Sequence, residues 1–355
     1  RHPVRAPDFW AGGKAQTGSA ALFSLLLSPL GWAYGAGVRL RLALARPARA
    51  NLPVVCVGNL VAGGAGKTPV ALALGQWFQA HGCNPHFLSC GYGGSLPGPV
   101  RVNNERHHCR QTGDEALLLS RTAPSWVSSD RPAGAREAAL AGADMVIMDD
   151  GFQSPSLAKN LSLLVVDGEY GIGNGRLIPA GPLREGVAGA LSRADVVVVL
   201  GEDTAGIGAA IETTAIGNTG ERIPVLKARL VPEDDGTGWQ GRKVLAFAGI
   251  GRPEKFFNSL REAGAELVAA HAFPDHYPYG EDEAAALIEA AEAAGAEPVT
   301  TAKDAERLPV GMLNRVWVFA VRVQWQDAEA LARLFSPLAE KVAEREAGSD
   351  EGTRV

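Results

Sequence analysis

Residues 57–74 read VGNLVAGGAGKTPVALAL: the end of an apolar run, a glycine-rich turn, then Lys-Thr-Pro opening a helix-like stretch. That order is what a phosphate-binding loop needs. Glycines let successive backbone N–H groups converge on phosphate oxygens, and the start of a helix adds partial positive charge. The usual pattern of glycine, four residues and Gly-Lys-Ser/Thr would place a glycine at position 61, where Val61 stands. The glycines have shifted instead into Gly63-Gly64-Ala65-Gly66. Lys67 has the reach for β- and γ-phosphates, Thr68 can offer its hydroxyl to Mg²⁺, and Pro69 suits a first helical turn, where no N–H is required. An ordinary glycine-rich turn before a helix is the competing reading. Strand, glycines, Gly-Lys-Thr and helix in sequence favour a nucleotide site despite the changed spelling.

The flanking sequence gives the fold class. LPVVCVG (52–58), ADMVIMD (143–149), LSLLVVD (161–167) and ADVVVVLG (194–201) have the continuous hydrophobicity of buried parallel strands. Between the early ones lie helix-like stretches, TPVALALGQWFQAHG and DEALLLSRT. Strands alternating with helices predict an α/β protein with a P-loop NTPase-like parallel sheet and ligands at the carboxyl ends of its strands. A carboxylate that holds Mg²⁺ is due at the end of a later strand, and MVIMDDG supplies Asp149 and Asp150 there. Asp167, closing LSLLVVD, is a weaker candidate and reads as a turn residue.

Near residue 220 the texture changes. RIPVLKARLVPEDDGTGWQGRK reads as an extended ribbon with a polar, glycine-rich turn. A second α/β unit follows, with strands VLAFAGI (244–250), ELVAAHAF, PVTTA and VWVFAVRV, and helices PEKFFNSLREAG and EDEAAALIEAAEAAG. The division expected is an N-terminal segment (1–49), a P-loop domain (50–225), a two-stranded linker (226–242), a smaller α/β domain (243–340) and a charged, frayed tail (341–355).

Composition narrows the class. The 355 residues carry 34 Lys+Arg against 39 Asp+Glu, a formal charge of -5, so no overall basic field calls for nucleic acid. Cys56, Cys83, Cys90 and Cys109 show no CxxC pair or zinc spacing and read as reduced thiols. From Ala15 to Val38 no residue is charged, and Arg39, Arg41, Arg46 and Arg49 follow. A membrane span, a signal peptide and an interfacial helix compete for this segment. ATP is cytoplasmic, which argues against the signal peptide. Ser24, Ser28, Pro29, Gly31, Gly35 and Gly37 dilute the hydropathy, which favours interfacial or shallow insertion with Trp32 and Tyr34 at headgroup depth and the arginines on anionic lipid. A buried helix packed on the domain stays open as the alternative.

Taken together, VGNLVAGGAGKTP (57–69), GDEALLL (113–119), DDGFQ (149–153), PAGPLRE (179–185), FPDHYPY (273–279) and VTTAKDAERL (299–308) resemble the tetraacyldisaccharide 4'-kinase family, the lipid A 4'-kinases of Gram-negative bacteria. The resemblance runs from APDFW (6–10) to VWVFAVRV. It implies transfer of the γ-phosphate of ATP, with Mg²⁺, to the 4'-hydroxyl of tetraacyldisaccharide 1-phosphate, giving lipid IVA. It also implies two α/β/α domains joined by a two-stranded linker, a membrane-associated N-terminal helix and work at the cytoplasmic face of the inner membrane, with a monomer expected. The phosphate-loop residues fall on Gly63, Gly64, Ala65, Gly66, Lys67, Thr68 and Pro69, and the metal-binding residues on Thr68, Asp149 and Asp150. The family's catalytic pair resembles Asp114 and His276.

The chemistry suits that pair. A sugar hydroxyl is a poor nucleophile, so a carboxylate must take its proton, and a hydrogen-bonded histidine can orient the carboxylate. Asp114 also reads as a helix N-cap, and His276 as a plain loop histidine. Arg184 and Glu185 match the family's Leu-Arg-Glu and join the nucleotide-site candidates; Arg184 can hold a phosphate bidentately, with a structural Arg–Glu pair as the alternative. Lys303 and Asp304 match a further motif and carry no inference about the base. Ser154, Cys90 and Ala302 stand where the family usually has His, Arg and Glu. A partitioning or metal-insertion ATPase is the rival on the same fold, but its signature lysine position holds Ala62. A nucleotide switch without catalysis is the other alternative.

Overall fold

A computed structural model of the chain describes residues 7–12, 18–214, 220–234 and 237–351. Ala15, Gln16 and Thr17 of the uncharged segment, Ala6 of APDFW, residues 235–236 of the expected linker and the last four residues of the expected tail lie outside these.

Nine strands form the larger sheet: β1 (Val54–Asn59), β2 (Pro85–Ser89), β3 (Val100–Arg101), β4 (Ser125–Val127), β5 (Met145–Asp149), β6 (Leu161–Asp167), β7 (Val196–Leu200), β8 (Val225–Pro232) and, from far along the chain, β13 (Val321–Trp325). Their order is β13-β8-β7-β6-β1-β5-β2-β4-β3. All pairs are parallel except β3 on β4 and β13 on β8. A second sheet, wholly parallel, runs β10 (Glu266–Ala272), β9 (Lys243–Ala248), β11 (Glu297–Thr301), β12 (Trp317–Phe319). The α/β class with a mostly parallel sheet is therefore as the sequence predicts.

Strand β1 is buried on both faces, and its period of two divides the core. Val54 and Cys56 face one layer with Leu88, Met148 and Val197. Val55 and Val57 face the other, beneath α2 (Lys67–Ala80). Helices α3 (Cys109–Thr112), α4 (Asp114–Ser120), α5 (Arg131–Leu140), α6 (Val187–Leu191) and α7 (Ile207–Thr214) fill the remaining connections of this sheet. In the second unit α8 (Pro253–Glu262) puts Phe256, Phe257 and Leu260 into the core, α9 (Glu281–Ala293) covers the opposite face, and α10 (Ala302–Ala305) follows β11.

The end of the chain departs from the expected division. VWVFAVRV is two strands, broken at Ala320, whose carbonyl accepts from Glu233 N at 3.0 Å. Strand β12 completes the second sheet, while β13 returns to the first. Helix α11 (Ala328–Glu351) then packs Leu331, Phe335, Ala339 and Val342 against Val70, Leu74 and Phe78. A run rich in valine and aromatic residues states that its residues are strand, not which sheet they join. The connection between units is thus the antiparallel pair β8 and β13.

Helix α1 (Gly18–Leu44) is turned inside out. Its small and polar residues face the protein: Ser24 donates to Ala180 O at 2.6 Å, Arg176 to Ser28 Oγ at 2.5 Å, and Gly31 and Gly35 ride on Leu177. A Cβ at Gly35 would lie 2.5 Å from Leu177 Cδ1. Leu22, Phe23, Leu25, Leu26, Leu30 and Trp32 are exposed. Four of the residues that dilute the hydropathy, Ser24, Ser28, Gly31 and Gly35, are therefore the ones that dock the helix, while Pro29 and Gly37 are exposed.

One buried titratable group has a checkable consequence. His86 in β2 accepts the Trp126 indole N–H at 3.1 Å, and burial, with the charge of Arg101, lowers its pKa from 6.5 to about 4. A folded state that favours neutral His86 loses stability as pH falls from 6.5 through 4. Thermal melts across that window should show the loss, and His86→Gln should flatten it.

Candidate active site

The displaced glycines have a structural reason. Val61 is buried and forms an antiparallel bridge with Leu183. Ala62 N donates to Pro182 O at 2.8 Å, and Arg184 N to Leu60 O at 2.8 Å. PAGPLRE is thus a strap that pairs with the first half of the loop, where an extended, branched residue suits the geometry better than glycine. The turn itself is made later: Gly63 and Gly66 have φ of 109° and 80°. At Gly66 any Cβ would also sit 2.2 Å from Leu200 Cδ2. Asn59 braces the loop from the end of β1, donating to Val61 O at 2.8 Å and Gly63 O at 3.4 Å.

Lys67 and Thr68 begin α2 and are both buried. Thr68 Oγ1 donates to Asp149 Oδ2 at 2.9 Å. Asp149 Oδ1, fully buried, meets no donor. Burial pushes the Asp149 pKa up to about 7; Glu115 adds to this, while Lys67 and Thr68 oppose it. The next residue, Asp150, has φ of 53°, accepts from Arg184 Nη1 at 2.8 and 3.0 Å, and lies 3.6 Å from Lys67 Nζ. Burial works against its charge, but Lys67 and Arg184 hold it below the usual carboxylate range. A bare carboxylate oxygen beside the loop hydroxyl fits a cation. Among the described residues no three His, Cys, Asp or Glu gather into a metal site. A cation at Thr68 and Asp149 would therefore share phosphate oxygens, as Mg²⁺ commonly does.

Glu185 turns away from the loop. Gln153 donates to it at 3.1 Å, Arg193 donates a short hydrogen bond to it, and it is buried. Its carboxylate braces the strap from behind, and the alternative of a structural Arg184–Glu185 pair does not hold, because Arg184 pairs with Asp150. Arg131, at the start of α5, is buried with Nη1 unpartnered and places positive charge near Asp150.

The second unit reaches across at α4. His276 Nδ1 lies 3.0 Å from Asp114 Oδ2, and Arg307 Nε lies 3.1 Å from the same oxygen. Lys303 Nζ donates to Glu115 Oε1 at 3.0 Å and lies 3.4 Å from His276 Nε2. Asp114 is the first residue of α4, after the N-cap Gly113, and its Oδ1 accepts from Glu115 N at 2.9 Å, so it ties off the first turn of the helix while Oδ2 faces the second unit. His276 adopts φ of 58°, fixed by its own N–H donating to Gly249 O at 3.0 Å. Among the described residues the non-glycine positions with positive φ are Asp150 and His276. Strained backbone of this kind persists where the surroundings enforce it. Burial would raise the Asp114 pKa, but Lys303, His276 and Arg307 together hold it well below the usual range. Burial likewise opposes the charge of Lys303, yet Glu115, Asp114 and Asp275 hold its pKa above the usual lysine value.

Behind this group Asp304, fully buried, accepts from Gly249 N, Tyr279 Oη and Arg307 Nη2, each at 2.8 Å. Asp304 thereby anchors Arg307. VTTAKDAERL contains both, but α10 ends at Ala305 and Arg307 lies in the turn that follows, where its guanidinium N–H groups reach back to Asp304 and Gly249. Gln153 and Arg131 carried no signal of their roles in the sequence, because each acts through groups distant in sequence, whereas Asn59 braces residues only two and four positions on.

Residues 23–339 match the family profile described as tetraacyldisaccharide-1-P 4'-kinase. The chain belongs to this family. The tetraacyldisaccharide 4'-kinase of Rhodospirillum centenum is 51% identical over 337 residues, 94% of this chain and 97% of that protein. The corresponding enzyme of Paramagnetospirillum magneticum is 52% identical over 332 residues, covering 94% and 98%. The fold is also that of an Aquifex aeolicus LpxK solved in complex with ATP, with a TM-score of 0.68 and 24% identity over 89% of this chain and 99% of that one. Membership in this kinase family sets aside the partitioning-ATPase reading. It also accounts for the strap and the FPDHYPY loop, which that reading leaves unused.

Proposed function

We propose that the chain transfers the γ-phosphate of ATP to the 4'-hydroxyl of a tetraacyldisaccharide 1-phosphate in lipid A biosynthesis. The observation that carries the reading is the Asp114–His276 contact, formed between the two units beside the phosphate loop. Glu115, next to Asp114, acts electrostatically on Asp149, which ties α4 to the nucleotide end of the site. Phosphoryl transfer through a loose transition state asks the protein chiefly to position and to neutralise charge. In this reading Gly63, Gly64, Ala65 and Gly66 cradle the phosphates with backbone N–H groups, Lys67 contacts the β- and γ-phosphates, and Pro69 fixes the first turn of α2. Arg184 trades part of its hold on Asp150 for phosphate oxygen. Thr68 and Asp149 hold Mg²⁺, with Asp150 beside them; when bound, the ion supplies charge neutralisation across the phosphates. Asp114 accepts the hydrogen bond of the attacking hydroxyl and then its proton. His276 fixes the orientation of Asp114, while Arg307 and Lys303 keep the carboxylate ionised until the hydroxyl arrives. Both halves of the site belong to one chain, so a monomer suffices.

The acceptor lives in a bilayer, and the outward apolar face of α1 supports shallow membrane insertion at the cytoplasmic face of the inner membrane. The apolar stretch Ala21–Leu44 is 24 residues long, and most of it is exposed. Burying a leucine side chain contributes about 1.5–3 kcal/mol, so Leu25→Ser with Leu26→Ser should weaken sedimentation with anionic vesicles on the order of 10²-fold. The phosphate-loop chemistry should be unchanged in detergent.

The test is transfer of labelled γ-phosphate from ATP to tetraacyldisaccharide 1-phosphate in micelles with Mg²⁺. Labelled lipid from wild type and none from Lys67→Ala supports the reading. Hydrolysis of ATP without labelled lipid would sink it.

A further inference from the structure

Asp167, read from the sequence as a turn residue, is the point where a second part of the C-terminal unit grips the first. It closes β6, next to β1, and its Oδ1 accepts from the N–H groups of Glu169 and Tyr170 at 3.1 Å. Its Oδ2 takes two cations from the other unit, Arg252 Nη1 and Lys255 Nζ, both at 2.6 Å. Arg252 also lies over the Tyr170 ring at 4.1 Å. One buried carboxylate facing two cations leaves positive charge over. Glu169 offsets it only partly, at 3.3 Å from Lys255 and with its side chain 56% exposed.

That surplus charge stands at the phosphate loop. The backbone of Gly251, immediately before Arg252, packs on Gly64, so that a Cβ at Gly251 would lie 2.4 Å from Gly64 N. Leu200, at the end of β7, packs where a Cβ on Gly66 would stand, and a Cβ on the adjacent Gly201 would lie 3.8 Å from Lys255 Nζ. The ammonium group therefore sits one residue from the floor of the loop, on the side away from Asp149 and Asp150.

We propose that Lys255 is a nucleotide-binding residue contributed by the second unit, exchanged from Asp167 to the polyphosphate when ATP enters, with Asp167 as the positioning residue that stores it. The exchange couples nucleotide occupancy to the contact between units, because Arg252 keeps its hold on Asp167 while Lys255 changes partner. The proposal rests on the kinase reading above.

It makes an unusual pair of predictions. If phosphate and Asp167 compete for Lys255, removing the cation and removing the carboxylate must act in opposite directions. Asp167→Asn keeps Oδ1 for the two N–H groups and removes only the anionic oxygen that holds the cations. A non-hydrolysable fluorescent ATP analogue, titrated without lipid, reads nucleotide affinity apart from chemistry. Lys255→Ala should weaken binding about 10-fold or more, Lys255→Arg should restore it to within about threefold, and Asp167→Asn should tighten it about threefold. A melt of each variant checks the fold. Equal weakening by Lys255→Ala and Asp167→Asn, or no change in either, would make the bridge purely structural and overturn the proposal. Absence of binding by folded wild type would overturn the kinase reading, and this proposal with it.

Discussion

Changing Asp114 to asparagine is expected to lower kcat about 10³-fold while ATP affinity stays within about threefold of wild type. Asparagine keeps the shape and one acceptor but has no charge with which to draw a proton from the sugar hydroxyl. The loss should lie in the chemical step, measured by rapid-quench single turnover, because the proposed mechanism assigns Asp114 to the acceptor and not to the nucleotide. The fold should survive. Arg307 would lose its 3.1 Å contact with Asp114 but retain Asp304 at 2.8 Å and the carbonyl of Gly249 at 2.9 Å. A buried guanidinium left with a carboxylate and a carbonyl avoids the several kcal/mol that an orphaned charge costs.

A carboxyl held well below its usual pKa is a weak base, which looks ill suited to deprotonation. The loose transition state resolves this. The hydroxyl proton leaves late, so an ionised acceptor that orients the oxygen matters more than basicity. The sign of the pH effect follows. A base acts when ionised, and Asp114 is ionised throughout the neutral range, so kcat/KM should show no acid limb from this group between about pH 5 and 8. The Asp114→Asn, His276→Ala double variant should be about as impaired as the worse single one, as expected of residues acting as a unit. Multiplying losses, or ATP affinity falling in step with kcat, would remove the dyad from the chemistry.

Local order was legible in the sequence, and contacts between units were not. The strand–loop–helix order at 54–80 and the strand-ending aspartates could be read because each is a short-range pattern with a physical cause. What the sequence misplaced depends on pairing at a distance. Val61 looked like a defect until its partner Leu183 was known. Asp167 is the turn residue it looked like, accepting from the N–H groups of Glu169 and Tyr170, but its second role was hidden because the cations it binds lie 85 and 88 residues later. Arg184 and Glu185 both read as nucleotide-site candidates, whereas a strap running antiparallel to residues 60–62 sends neighbouring side chains to opposite sides, Arg184 to Asp150 and Glu185 to Arg193. Ser24, Ser28, Gly31 and Gly35 lowered the apparent hydropathy of α1 although they are its docking face, which hydropathy averaged along a sequence cannot separate.

Asp149→Asn should act with opposite signs on activity and on stability. Activity should fall on the order of 10³-fold, since in the proposed mechanism Asp149 would hold the cation together with Thr68. The unliganded protein, however, should become more stable. Asp149 carries a buried oxygen with no donor, and burial raises its pKa from 3.8 to about 7. A carboxyl whose folded pKa is raised destabilises the fold progressively as pH climbs from 3.8 through 7, because the charged form is favoured more in the unfolded chain. The neutral amide keeps an acceptor for Thr68 and escapes that penalty, a gain of about 1–3 kcal/mol at pH 8 and less at pH 5. Saturating ATP and Mg²⁺ should reverse the ranking. Wild type gains stability by ligand binding, on the order of 2.7 kcal/mol at a hundredfold excess over Kd, while the variant gains much less. Melting curves of the two proteins, with and without nucleotide and metal, should therefore cross. A variant less stable under both conditions would make Asp149 a structural cap for Thr68 and move the metal site elsewhere.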